Sequence, residues 1–503
     1  MTHETKVSIL SAIQNIQSTA EYEFTGVSSS SNESLEDFLM MQEYGRMRDP
    51  MRFLILGGRG SGKTRLFYAF CSKKGFRQIM GPQQTLLGPN GDNAQALCGY
   101  DLSGHFPSQE ILDQFSNDKD AKAYWVGSLL LILFEFFQTD TALLDSLKPW
   151  LNSTEDFEFT NISMLNTPSK WISNLRDNPE FWEGLLGQID EYLLQHDKWL
   201  FITYDFLDRL TTEYNRLFPY IRTLLSFWFN HSMRWRRLRC KIFLRTDLYE
   251  SNLLSFMDAS KLKNHTIRLE WNTLSLYRLL IKRMANSGSS ETLEYLRLIP
   301  KLISDKADAD LGYVPTDKKK QVELFIDQII GHYMGNSPKK GLSYQWIPNH
   351  LQDANGSLAP RSFLKCFSIA AAGMLEHPHE LDKLTKNNCL LQPSMIQNAL
   401  VSVSEDRVSE LAEEYPWLNT LKRQLSGLTM LVDRDTFLER IEMSAWNDEE
   451  RKTLPDQSPQ GIFYVLQKLG IVFISSDGRV NVPEIYLHGF GMRRKGGLRR
   501  NLE

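Results

Sequence analysis

The sequence predicts an α/β core, a parallel sheet with helices on both faces, joined to a helical lid and ending in a small helix-then-hairpin domain. Three observations predict it. Met51 to Phe70 (MRFLILGGRGSGKTRLFYAF) reads as a short apolar strand, a glycine-rich turn and an amphipathic helix. Trp199 to Tyr204 is a near-continuous apolar run ending at an acid, as expected of a central parallel strand buried on both faces. Residues 458–483 (SPQGIFYVLQKLGIVFISSDGRVNVP) read as a helix followed by two short strands joined at Asp477-Gly478.

Composition bounds the reading. A chain of 503 residues, 42% hydrophobic and 23% charged, has ample material for a core, and its length suggests about three domains. The net charge of -4 sets up no whole-chain field toward nucleic acid or anionic membrane, so any such contact needs a local patch. Cys71, Cys98, Cys240, Cys366 and Cys389 stand apart with no metal-ligand spacing. They read as reduced thiols of a cytoplasmic protein. The first residues, MTHETKVSILSAIQNIQ, lack the basic start and apolar stretch of a signal peptide. The longest apolar run, Tyr124 to Phe137, is short for a membrane span and carries Glu135, which predicts a buried helix.

Residues 1–44 are expected to be an N-terminal helical arm and linker: positions 6–20 have helical apolar spacing, and Gly26 to Ser34 is Ser-rich. The core is expected over 45–270. Its opening motif fits G-x-x-x-x-G-K-[ST], the phosphate-binding loop. Backbone N–H groups must curl round phosphate oxygens, and glycine adopts the dihedrals this needs at little cost. The cradle is therefore Gly57, Gly58, Arg59, Gly60, Ser61, Gly62, Lys63, Thr64 and Arg65, completed by the positive end of the following helix. Lys63 is expected to reach the β- and γ-phosphates of ATP, and Thr64 to hold Mg²⁺.

After this helix comes a long insert, about 75–195, with polar turns at 81–92, the apolar helix near Tyr124, and a Trp- and acid-containing region from Leu147 to Trp182. The strand Trp199 to Tyr204 then delivers Asp205 to the carboxyl edge of the sheet, where ligands sit in open α/β folds. Asp205 is the expected Mg²⁺-holding acid opposite Thr64. Asp208 and Arg209 follow a turn later; one of them polarises the attacking water or senses the γ-phosphate, or either belongs to an ordinary surface ion pair. A further strand, Lys241 to Leu244, presents Arg245 at its tip, positioned to read the γ-phosphate. Just upstream, MRWRRLRCK (Met233 to Lys241) sets five cations around Trp235. It is a nucleic-acid contact, an arginine offered across a subunit boundary, or a solvated helix end.

Residues 271–394 are expected to be helical. Leu274 to Met284 has i, i+3, i+4 spacing, Lys318-Lys319-Lys320 marks a helix start, and two helices over 322–376 flank NHLQDANGSLAPR. Arg361, opening the second of these, can face bound nucleotide or pair at the surface. Residues 395–503 form the last expected domain, in winged-helix order, with a tail MRRKGGLRR carrying five cations and no acid. That tail suits DNA or another polyanion, or a solubilising terminus.

The phosphate loop, YDFLDRL, KIFLRTD and APRSFL resemble, in that order, the KAP and STAND branches of AAA+-like P-loop NTPases. WIPNHLQDANGSLAPRSF, EEYPWL and PEIYLHGFGMRRKGG are similar to a bacterial group of such ATPases found in defence or mobile-element neighbourhoods. The resemblance covers most of residues 45–500. It implies an ATP- and Mg²⁺-binding ATPase, with Lys63 and Thr64 at the Walker A positions and Asp205 as the first Walker B acid. Arg245 matches a sensor-one-like residue, and Arg361 a sensor-two-like residue. It also implies a homo-oligomer or a partner effector. Phe206 departs from the pattern, standing where this class often has a second, catalytic acid; Asp208 could substitute, or hydrolysis is slow. KAP members often carry transmembrane helices between the two Walker motifs, and the hydropathy of this insert predicts none.

Overall fold

The computed structural model describes residues 1–16, 34–81, 93–151, 162–250, 259–384 and 389–495. Most of the expected linker (26–33), the turns at 82–92, part of the Trp- and acid-containing region (152–161) and the end of the tail (496–503) lie outside these. The chain divides into two compact units, one of residues 24–269 and one of residues 1–23 with 270–503. The first helix, α1 (His3–Gln14), belongs to the second unit.

The 24–269 unit holds β1 (Leu54–Gly57), α2 (Lys63–Cys71), α3 (Lys73–Met80), β2 (Ala94–Tyr100), α4 (Asp118–Phe136), α5 (Pro179–Gln195), β3 (Trp199–Tyr204), α6 (Leu217–Ser232), β4 (Leu238–Arg245) and β5 (Thr266–Arg268). The five strands form one parallel sheet in the order β2-β3-β4-β1-β5. Alternation along β3 exposes its two faces to different helices. Phe201 meets Phe70 of α2 and Phe76 of α3 edge-on or tilted, while Tyr204 points the other way into Trp125 of α4 and Trp228 of α6. This two-sided cover is why β3 is apolar along almost its whole length and why every residue of β4 is buried.

The apolar run expected as a buried helix is α4. Asn117 caps it by accepting from Lys119 and Asp120 N–H groups, and Tyr124 to Phe134 are buried all round the helix. Trp125 also donates its indole N–H to the Tyr220 carbonyl at 2.8 Å. Among the described residues no helix is long and apolar enough to cross a membrane.

Two strands differ from the sequence reading. β2 lies inside the stretch read as an insert, and β5 was not expected at all. The cationic cluster also differs, because much of it is internal. Arg239 is buried and donates to the carbonyls of Ser232 and Arg236. Arg237 lies over the Trp199 ring and pairs with Asp197 at 2.9 Å. Lys241 is 0% exposed, its ammonium bonded to the carbonyls of Asp49 and Arg52 at 3.0 and 2.7 Å. These three cations stitch the sheet to its surroundings; Arg234 and Arg236 remain exposed.

In the other unit, α1 is tied down by Lys6, whose ammonium donates to the Leu381 carbonyl, and by the Arg283 guanidinium on the Ile16 carbonyl. Its helices include α7 (Thr273–Ala285), α8 (Ser290–Arg297), α9 (Lys319–Ile329), α10 (Ser343–Leu351), α11 (Pro360–Glu376), α12 (Pro393–Glu414) and α13 (Trp417–Leu425). Then follow β6 (Thr429–Met430), α14 (Arg434–Arg440), α15 (Pro459–Lys468), the antiparallel pair β7 (Phe473–Ile474) and β8 (Val480–Asn481), and β9 (Arg493–Arg494), which pairs with β6 in parallel. The β7–β8 turn contains Gly478 at φ 86°, a conformation glycine takes without strain.

Candidate functional site

The site is assembled at the carboxyl edge of the sheet, where β1, β4 and β3 end side by side. Its first part is the turn from β1 into α2. Gly60 and Gly62 hold φ of 74° and 87°, in the left-handed region that L side chains disfavour. At Gly57 the constraint is space: a Cβ there would stand 2.3 Å from the Ser61 hydroxyl. Gly62 is the N-cap of α2, so the N–H groups of Lys63, Thr64 and Arg65 form the first turn, whose donors have no intrahelical acceptor. The result is a concave cradle of backbone donors at a helix N-terminus.

Lys63 curls back over this cradle and donates to the carbonyls of Gly57 and Gly58, each at 2.9 Å. Burial lowers its pKa, and the neighbouring Asp205 opposes that shift. Asp208, Arg245 and Asp247 also act on the same ammonium. Five expected or adjacent side chains therefore share one electrostatic neighbourhood. The Arg65 side chain turns away from it, to Asp37 at 2.6 Å and the Ser34 carbonyl at 3.0 Å. Its contribution to the cradle is thus its backbone position.

Asp205 follows β3 directly and is 4% exposed. Its carboxylate accepts from the Thr64 hydroxyl and from the Phe206 N–H. Those bonds, with Lys63, favour the ionised form, yet desolvation outweighs them and raises the pKa to about 6. The second oxygen, Oδ2, is buried with no hydrogen-bond partner among the described residues. Phe206 adopts φ 57°, an unusual choice for a bulky side chain that costs roughly 1–2 kcal/mol. That left-handed turn accompanies its N–H bond back to the preceding carboxylate, while its ring lies 6.4 Å from that of Tyr68.

β4 lies between β1 and β3, so its tip residue stands between Lys63 and Asp205. Arg245 is in register with Gly57 and 8% exposed. Its guanidinium grips Asp247 at 2.6 and 3.1 Å and reaches Asp208 at 3.3 Å. Asp208 is thereby engaged by a cation. Asp247, two residues past a strand tip in the way Asp205 is one, was not singled out from the sequence. Arg361 belongs to the helical unit, at the second position of α11, and pairs with Glu410 at 3.4 Å.

The donor set fits a magnesium ion. Thr64 Oγ1 and the unpartnered Asp205 Oδ2 are hard oxygen ligands of the kind Mg²⁺ takes while keeping several waters. Held there, such an ion would neutralise charge on a bound phosphate group. The residues that would hold it are already joined by a hydrogen bond.

A glycine loop between a strand and a helix N-terminus, in a parallel sheet whose next-but-one strand ends in a buried carboxylate, defines a P-loop nucleotide-binding fold. No family model and no curated protein matches the chain. Solved structures similar to it include Cdc6p from Pyrobaculum aerophilum, with 11% identity and a TM-score of 0.27 over 87% of this chain and 86% of that one. Another is the ORC2 protein of Aeropyrum pernix in ADPNP–ADP complexes, with 11% identity and a TM-score of 0.35 over 86% of this chain and 83% of that one. The class is defined by the loop, the strand order and the carboxylate, not by these likenesses.

Proposed function

We propose that this protein is an ATP-binding and ATP-hydrolysing molecular switch of the AAA+-like kind. The observation that carries the reading is the Thr64–Asp205 hydrogen bond, with one Asp205 oxygen left without a partner and Lys63 in the same field. ATP lies with its phosphates in the loop cradle; Lys63 exchanges the Gly57 and Gly58 carbonyls for β- and γ-phosphate oxygens. Arg245, poised on Asp208 and Asp247, reads the γ-phosphate. Loss of the γ-phosphate shifts the arrangement of these groups, which is how such switches report hydrolysis. The five isolated cysteines support a cytoplasmic setting, and the segment resemblance supports a role in a bacterial anti-phage complex, as a homo-oligomer or with an effector. The test is steady-state ATPase activity of the purified chain beside its mass in each nucleotide state; an inactive chain that binds no ATP removes the proposal.

A second reading is favoured by α15 and the hairpin after it, a helix-then-wing order. Tyr464 on α15 is 57% exposed with the Lys468 ammonium 4.8 Å from its ring centre, a pairing suited to a base or phosphate. In this reading the C-terminal domain binds DNA and nucleotide is structural. DNA affinity should then fall steeply with salt and weaken on deletion of residues 492–503. Salt-independent binding excludes it.

A further inference from the structure

Buried carboxylates in the 24–269 unit differ in how well they are satisfied. Asp190, 6% exposed, accepts from the N–H groups of Arg236, Arg237 and Leu238, which accounts for its burial as a structural brace. Asp101, 2% exposed, does not have such an account. Its Oδ1 accepts from the Ser103 N–H at 2.7 Å and its other bond is from the weakly donating Cys98 thiol. Among the described residues it forms no ion pair. Burying a carboxyl with so few donors destabilises the fold, so its retention calls for a role beyond packing.

Its position supplies one. Asp101 follows Tyr100, the last residue of β2, and β2 pairs in parallel with β3. The Asp205 N–H donates to the Tyr100 carbonyl at 3.2 Å, so Asp101 and Asp205 are carried side by side on adjacent strand tips. Burial raises the hydroxyl pKa of Tyr68, one turn along α2 from Thr64, and the fields of Asp101 and Asp205 raise it further, which keeps it a donor. Asp205 Oδ2, unpartnered and buried, marks the same edge as a place built for a ligand. The adjacent-acid position after Asp205 holds Phe206, and Asp208 is engaged by Arg245.

We infer that Asp101 is the general base of hydrolysis, taking over from the acid that Phe206 replaces; this rests on the nucleotide reading above. The oxygen of water forms a bond to the γ-phosphorus. The bond from that phosphorus to the β–γ bridging oxygen breaks, its electron pair leaving with ADP. The proton lost by water passes to the Asp101 carboxylate and then to the product phosphate.

The experiment measures ATP affinity and single-turnover hydrolysis for wild type, Asp101→Asn and Asp101→Glu. Asp101→Asn is expected to bind ATP within about threefold of wild type and to hydrolyse it about 10²- to 10³-fold more slowly. Hydrolysis within about threefold of wild type overturns the inference, as does a wild type that binds ATP without hydrolysing it. Should Asp101→Asn not fold, Asp101→Glu decides: residual turnover with a displaced acid limb of the pH–rate profile supports the role, and an unmoved limb overturns it. Failure of wild type to bind ATP at all sinks the nucleotide reading instead.

Discussion

The Thr64 hydroxyl on the first turn of α2 donates to the carboxylate of Asp205 at the tip of β3, across the intervening strand β4. Residues 141 positions apart in sequence (205 − 64) are thus already in contact where a metal and a triphosphate would be shared. The bond leaves Asp205 Oδ2 buried and unpartnered, which has a stability consequence.

Asp205→Asn removes a desolvated charge while keeping an acceptor for Thr64 and Phe206. The variant without nucleotide should be more stable than wild type by on the order of 1–3 kcal/mol, raising Tm by a few degrees. It should also lose Mg²⁺-dependent hydrolysis. Thermal unfolding with and without Mg²⁺-ATP checks both halves; an unaltered or lowered Tm without nucleotide would show that the carboxylate is not strained.

Arg245 is held by two carboxylates and stands between Lys63 and Asp205. Arg245→Gln should slow hydrolysis about 10- to 100-fold while leaving ATP affinity nearly unchanged, the signature of a group acting mainly in the transition state. Single-turnover rates beside equilibrium binding separate the two effects, and an equal loss in both would instead make Arg245 a binding residue.

Lys241 sets a pH dependence. Burial lowers its pKa to about 7 from the ordinary lysine value of 10.5. Between those values the unfolded chain binds more protons than the folded one, so this residue makes stability rise with pH from about 7 toward 10, by at most about 1.4 kcal/mol per unit. Below pH 7 both states are protonated and the full penalty applies. Denaturant midpoints of wild type and Lys241→Met, compared at pH 7 and 9, should diverge in favour of wild type as pH rises. Parallel curves would contradict it.

The Arg65–Asp37 pair, 2.6 Å apart with both side chains under 20% exposed, anchors the segment before β1 to the loop helix. Arg65→Met and Asp37→Asn should each cost about 1–2 kcal/mol, and the double variant less than their sum. A denaturation double-mutant cycle measures the coupling; additive losses would show that the contact contributes nothing of its own.

How far the sequence foretells this molecule depends on how locally each feature is encoded. The loop from Gly57 to Thr64 was legible because a glycine at each strained position, a lysine and a hydroxyl residue fall within eight residues. β3 was legible because two-sided burial writes a near-continuous apolar run. β2 was not: it is an edge strand, and AQALCGY mixes a polar side chain and a glycine into a short stretch. With β2 unseen, Asp101 at its tip had no strand edge to belong to. β5 is three residues long, below any periodicity. The five cations around Trp235 read as a surface cluster because composition does not reveal that β4 begins at Leu238 and draws Arg239 and Lys241 inside. Asp247 becomes notable once Arg245 is seen to grip it.

The central claim is that Lys63, Thr64 and Asp205 grip Mg²⁺-ATP. The direct measurement is an equilibrium ATP titration of wild type and Lys63→Ala, with and without Mg²⁺, beside a folding check by circular dichroism. The expected result is saturable one-to-one binding to wild type, tightened by Mg²⁺, and weakened at least about a hundredfold in a Lys63→Ala variant that remains folded. Equal affinity in the two proteins, or no binding by wild type, would contradict it.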